Sequence, residues 1–227
     1  MRIRTLHGAG AAREATGHAV IIDVFRAFTT AAFCVAAGAR EVVLVKHHEE
    51  ALAMKRADPS LFLTGEIGGR PIEGFDAGNS PSLIATLDLS GRRCVQRTSS
   101  GTQAAVDASA RAEAVVLGSF VIASATARYL RPVASEVTLV ATSQVGLDGT
   151  GNEDPLCARH LEALLLGEPS DVEGILREIW AGEVGLWPAW FPRRDAELAC
   201  EVDRFDFALP VTREEGLLVA RPIRPGR

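Results

Sequence analysis

Residues 18–32 read HAVIIDVFRAFTTAA. The run 19–22 is apolar and β-branched, which suits a strand buried on both faces. Asp23 stands where that run ends. Arg26, Thr29 and Thr30 follow, and residues 31–37 are small and helix-compatible. A carboxylate, a guanidinium and two hydroxyls therefore gather where a buried strand gives way to a helix. In open α/β sheets, ligands bind beyond the carboxyl ends of the strands. A helix start there also offers unpaired N–H groups and a positive dipole end to an anion.

Outward from this stretch the same alternation recurs. Strands are predicted at 20–24, 41–45, 61–64, 93–97, 114–117 and 136–141, and helices at 29–37, 49–56, 81–85, 102–108, 123–130 and 154–166. Such alternation argues for βαβ units and an α/β fold, with a mainly parallel or mixed sheet covered on both faces. Residues 1–17 suit a short edge strand and a loop. After Gly167 the pattern changes to a helix at 171–180, a rigid aromatic loop at 185–192, a helix at 194–202 and a last strand at 216–220. We read 1–227 as a single domain, with an α/β core over 1–167 and a C-terminal helical and aromatic cover over 168–227. Trp187, Trp190 and Phe191 fit a contact between copies of the chain, and fit equally well as filling beneath the cover.

Composition narrows the partners. The 227 residues are 47% hydrophobic and 23% charged, with net charge −5 and no Lys/Arg run, which argues against nucleic acid. No apolar run approaches the ~20 residues of a membrane span, and the N-terminal stretch lacks the apolar core of a signal peptide. Cys34, Cys94, Cys157 and Cys200 are widely spaced, which fits reduced thiols in a cytoplasmic protein. The five histidines show no metal-binding spacing.

Four further stretches carry polar groups after predicted strands. Gly65-Glu66-Ile67-Gly68-Gly69-Arg70 allows close backbone approach to a ligand; Glu66 suits a cation or a base and Arg70 an anion, against the simpler reading of a solvated turn. In residues 74–81, Ser80-Pro81 is a helix cap with proline at the first position, which leaves Asp76 and Asn79 unexplained by capping. Thr98, Ser99, Ser100, Gly101 and Thr102 form a neutral cradle of N–H and O–H donors, or a capping box from Ser100 to Gln103. Residues 142–151 suit a mobile flap. They lead into Glu153-Asp154, of which one fits the helix dipole alone and the other a Mg²⁺ ion. Asp23, Glu66, Thr98–Thr102 and Glu153 thus share a predicted sheet edge. Oxygen ligands beside oxyanion donors are the layout of metal-assisted phosphoryl chemistry.

Residues 20–30 (VIIDVFRAFTT), 65–81 (GEIGGRPIEGFDAGNSP) and 98–102 (TSSGT) resemble the 2-phosphosulfolactate phosphatase family, as do Gly118-Ser119, Glu153-Asp154 with Cys157-Ala158, and residues 201–211. The resemblance implies a three-layer α/β/α fold and Mg²⁺-dependent hydrolysis of a small acidic phosphate ester, 2-phosphosulfolactate, to 3-sulfolactate and phosphate, on a route to coenzyme M. It implies Asp23, Arg26 and Glu66 as catalytic residues, and Asp23 with Glu66 or Glu153 as Mg²⁺ ligands. Thr29, Thr30, Arg70, Asp76, Asn79, Ser80 and residues 98–102 would then hold an anionic small-molecule substrate. Water and Asp23 itself both remain candidate nucleophiles. The chain departs from the family's usual pattern at Phe28, Ile67 and Ser100, where Thr, Arg and Asn are usual. Those departures open an alternative, a non-catalytic or altered-specificity anion-binding relative on the same scaffold.

Overall fold

The computed structural model describes residues 1–143, 151–182 and 188–226. Its strands are β1 (Arg2–His7), β2 (His18–Ile22), β3 (Glu41–Leu44), β4 (Phe62–Ile67), β5 (Arg70–Pro71), β6 (Ala77–Gly78), β7 (Arg93–Arg97), β8 (Ala114–Gly118), β9 (Glu136–Ala141), β10 (Leu209–Glu214) and β11 (Leu217–Ala220). The helices are α1 (Ala27–Ala36), α2 (His48–Ala57), α3 (Pro81–Ile84), α4 (Gly101–Ala108), α5 (Ala123–Leu130), α6 (Glu153–Leu166), α7 (Val172–Gly182) and α8 (Arg193–Ala199). Every strand and helix predicted in the core is present, with ends shifted by a few residues.

One mixed sheet runs β1-β9-β2-β8-β10-β11-β3-β7-β4-β5, with β6 beside β4. β1, β9, β2 and β8 are mutually parallel, and so are β3, β7 and β4. The C-terminal hairpin β10–β11 joins these two wings by antiparallel pairing on each side. The end of the expected cover therefore enters the sheet itself. The sequence reading missed β10, whose second residue is Pro210; a proline lacks the N–H a central strand donates. In β10 it stands at the strand's beginning, opposite Val116 of β8.

Three antiparallel steps lie between β8 and β3, so the wings run in opposite senses along the sheet. A flat sheet would put their carboxyl ends at opposite edges. Sheet twist of about 20–25° at each strand-to-strand step, larger in two-stranded ribbons, accumulates past a right angle between β2 and β7. The sheet curls around α1 and α4, and α4 packs against strands of both wings. The inner core joins Ile21, Val42, Cys94, Leu117 and Leu209 to Phe28 and Ala105. A second core under α5, α6 and α7 includes Val20, Leu139, Leu161 and Ile179. A third, under α2, joins Val43, Leu63, Val95 and Val219 to Ala51. This is a three-layer α/β/α arrangement.

Candidate active site

The curl brings the carboxyl ends of β2, β4 and β7 to one cleft of about 300 Å³, lined by Asp23, Arg26, Glu66, Asn79, Ser99 and Ser100 with Phe25, Gly68, Gly69 and Phe191. Asp23 leaves β2 and meets two helix starts. Its Oδ1 accepts the Ala27 N–H at 2.9 Å at the start of α1, and it also accepts the Gly101 N–H at the start of α4. The approach is tight: a Cβ on Gly101 would lie 2.7 Å from Asp23 Oδ2 and 2.8 Å from Ala27 Cβ. Only glycine fits there.

Burial is the main influence on the Asp23 carboxyl and pushes its pKa up to about 6, helped by the Glu66 charge and opposed by the two N–H bonds. Asp154 lies on its other side. Burial, then the Asp23 charge, lifts the Asp154 pKa to about 7. Its Oδ1 accepts Val24 N–H at 2.7 Å, and its Oδ2 accepts Ser143 N–H at 2.8 Å and the Thr142 hydroxyl at 3.0 Å. The sequence reading put one of the pair Glu153-Asp154 at a cation and chose Glu153. In the structure Asp154 is the neighbour of Asp23, and Glu153 is buried outside the residues that line the cleft.

Glu66 is the last residue but one of β4 and bridges two turns. It accepts N–H groups from Ser99 and Gly69 and the Ser99 hydroxyl, while Ser99 Oγ accepts the Gly68 N–H at 2.9 Å. The capping box expected between Ser100 and Gln103 is absent. Ser100 makes no side-chain cap bond. Thr98 and Thr102 cap reciprocally, each backbone N–H donating to the other's hydroxyl at 2.8 and 3.0 Å. Gln103 turns instead to the carbonyls of Lys46 and Thr98.

Arg26 is 4% exposed. Its Nη1 donates to Asp195 Oδ2 at 3.0 Å and to the Trp190 carbonyl at 2.6 Å, and its Nη2 donates to the Gly69 carbonyl at 3.2 Å. The guanidinium carbon lies 4.2 Å from the Phe191 ring centre. Asp195 is fully buried. No sequence signal singled it out, because its partners Arg26, Ser80 and Ser82 are more than a hundred residues away along the chain.

Several expected ligand-binding residues hold the scaffold instead. Thr29 donates to the Val24 carbonyl at 2.8 Å and lies 2.6 Å from the Ser119 hydroxyl. Thr30 is buried in α1, outside the cleft lining. Asp76 accepts from Lys55 at 2.9 Å and from Leu63 N–H at 2.7 Å. Ser80 caps α3 and donates to Asp195 Oδ1 at 2.8 Å. Arg70 is exposed and stacks 3.9 Å from the Trp190 ring centre. Trp190 and Phe191 thus have partners within the chain, whereas Trp187 and residues 144–150 of the expected flap lie outside the described residues. Asn79 does line the cleft; it is 5% exposed, and its Oδ1 has no hydrogen-bond partner among the described residues.

Among the described residues, no three His, Cys, Asp or Glu converge as a metal site. The donor set nonetheless suits Mg²⁺, which binds through one or two carboxylates and keeps several waters. Asp23 and Glu66 share the cleft, and the Glu66 charge raises the cost of ionising Asp23. Among the described residues, the one lysine or arginine lining it, Arg26, is already matched by Asp195. A hard divalent cation would relieve that repulsion.

A profile described as 2-phosphosulpholactate phosphatase matches residues 6–183. A Deinococcus radiodurans protein called probable 2-phosphosulfolactate phosphatase is 43% identical over 57% of this chain and 56% of its own length. Proteins of the same name from Bacillus subtilis and Parasynechococcus marenigrum are 33% and 34% identical, over 65% and 80% of this chain and 64% and 74% of their own lengths. The chain therefore spans less than two thirds of the Deinococcus and Bacillus relatives.

Proposed function

The chain belongs to the 2-phosphosulfolactate phosphatase family, and on that premise we propose that it is a cytoplasmic, Mg²⁺-dependent phosphoric monoester hydrolase. Its substrate would be a small acidic phosphate ester, 2-phosphosulfolactate, with 3-sulfolactate and phosphate as products. The observation that carries this reading is the convergence of Asp23, Glu66, Arg26 and Ser99-Ser100 on one cleft from strands of two opposed wings.

Charge supports the cation. Among the described residues, two carboxylates line the cleft against one guanidinium, which Asp195 already neutralises. A phosphate dianion entering such a site would be repelled. Asp23 and Glu66 would hold Mg²⁺, which when bound supplies charge neutralisation and Lewis acidity. Glu66 has three hydrogen bonds from the turns, which fix its direction as outer partners fix a metal ligand.

The chain's own residues would do the rest. Arg26 would offer Nε–H and one Nη2 proton to phosphate oxygens, since among the described residues three of its five N–H groups are taken, by Asp195, Trp190 and Gly69. The Ser99 and Ser100 turn at the start of α4 adds neutral donors and a helix dipole. Water attacks phosphorus in this scheme. Asp23, tied by the Ala27 and Gly101 N–H groups, is better placed to take a proton from that water than to attack. As the bond from phosphorus to the ester oxygen breaks, that oxygen would receive the proton Asp23 took from water, giving the hydroxy acid and inorganic phosphate and leaving Asp23 as it began.

The test is phosphate release from a panel of phosphorylated hydroxy acids that includes 2-phosphosulfolactate. Mg²⁺-dependent release, stopped by EDTA, is expected. Ligand binding without release from any member of the panel would support the non-catalytic alternative instead.

A further inference from the structure

We infer that Asp195 is a positioning residue for anion binding, which acts by turning Arg26 into a receptor with one free edge. This rests on the reading of Arg26 as the phosphate clamp. Asp195 is fully buried on α8, beyond the 6–183 stretch that defines the family match. It divides its two oxygens between two jobs. Oδ2 takes an Nη1 proton of Arg26 at 3.0 Å. Oδ1 accepts the Ser82 N–H at 3.0 Å and the hydroxyls of Ser80 and Ser82 at 2.8 and 2.5 Å.

The first job sets the guanidinium. A guanidinium has five N–H donors in a rigid plane. The Trp190 carbonyl takes the second Nη1 proton, and the Gly69 carbonyl takes one Nη2 proton. Among the described residues, Nε–H and the remaining Nη2 proton have no hydrogen-bond partner. Three fixed acceptors therefore lock the plane and leave two neighbouring donors for an oxyanion in the cleft that Arg26 lines. A free arginine would sample many orientations there; this one is held by a charge that water does not reach.

The second job ties that clamp to the turn before α3. Ser80 and Ser82 flank Pro81, and Asn79, one residue earlier, lines the same cleft. One carboxylate thus sets the relative position of Arg26 and the Asn79 turn. The C-terminal segment completes the site from outside it.

The experiment measures binding of inorganic phosphate by calorimetry in the presence of Mg²⁺, with KM, kcat and melting temperature, for wild type, Asp195→Asn, Ser82→Ala and Arg26→Lys. Asp195→Asn is nearly isosteric but removes the charge that anchors Nη1. Its phosphate Kd and KM are expected to rise at least tenfold, with a smaller change in kcat. Ser82→Ala loses one bond on the Oδ1 side only, and its phosphate affinity should stay within twofold of wild type while its melting temperature falls. Arg26→Lys keeps a cation beside Asp195 but has no second planar edge; it should stay folded and lose phosphate affinity at least tenfold, which tests the edge even if Asp195→Asn does not fold. Phosphate affinity within twofold of wild type in Asp195→Asn or in Arg26→Lys overturns the inference, as does an equal loss in Asp195→Asn and Ser82→Ala. Wild type that binds no phosphate overturns both this inference and the reaction proposed for the cleft; wild type that binds it while Asp195→Asn and Ser82→Ala behave alike overturns this inference alone.

Discussion

Asp23 accepts hydrogen bonds at the starts of two helices and still holds its proton more tightly than an exposed carboxylate, because burial outweighs both bonds. Any cation it binds must displace that proton. Mg²⁺ affinity is therefore expected to weaken about tenfold per pH unit below about 6, one proton being released per ion, and to level off above. Calorimetry from pH 5 to pH 8 reads this slope, and a flat profile between pH 5 and 7 would contradict it. Folding feels the same shift without the cation. Folded Asp23 and Asp154 keep protons that the unfolded chain releases near 3.8. Their contribution to stability is thus full below that pH and is lost as pH rises through 6 to 7. His160, whose pKa burial lowers from 6.5, acts in the opposite sense below that value.

At the scale of elements, α4 begins against the carboxylate it serves. Gly101 allows this because it brings no Cβ into the 2.7 Å gap to Asp23. Gly101→Ala must push Asp23 or Ala27 aside, at a cost of about 1–3 kcal/mol for overpacking. The predicted outcome is a melting temperature lower by several degrees and a kcat/KM reduced at least ~100-fold, the larger effect falling on activity because the displaced group is the one proposed to react. Unchanged kcat/KM would show that this contact does not position Asp23. The elements themselves were largely legible in the sequence, since strand 93–97 and helix 123–130 follow plain apolar and propensity patterns. Cap identity was not. Ser100–Gln103 has the spacing of a capping box, yet Ser100 takes φ −116° and ψ −63° and makes no cap bond, and the reciprocal bonds form between Thr98 and Thr102, a spacing the pattern does not name.

The whole molecule depends on a hairpin at its C-terminal end. β10 and β11 pair with β8 and β3, and Arg221 just beyond them pairs with Glu41 of β3 and Glu214 of β10. A chain ending at residue 208 leaves both inner edges without partners, which predicts loss of cooperative thermal unfolding and of the near-ultraviolet circular dichroism of packed aromatic rings. Retention of a sharp transition would mean that each wing holds without the bridge. This long-range closure explains what could not be read along the chain. Asp23, Glu66 and the Thr98–Thr102 turn were recognisable locally, as polar groups that follow buried strands. Asp195 and the pairing of Asp154 with Asp23 depend on contacts across more than a hundred residues, and opposed wings that meet at one edge depend on accumulated twist.

The proposed meeting of Asp23 and Glu66 around a divalent ion is tested most directly by Mg²⁺ titration of the wild-type chain beside Asp23→Asn and Glu66→Gln, followed by calorimetry. The account predicts saturable binding to wild type and a loss of at least ~10-fold in each variant, from one wing and from the other. Binding in Asp23→Asn equal to wild type, or no binding in wild type, would contradict it.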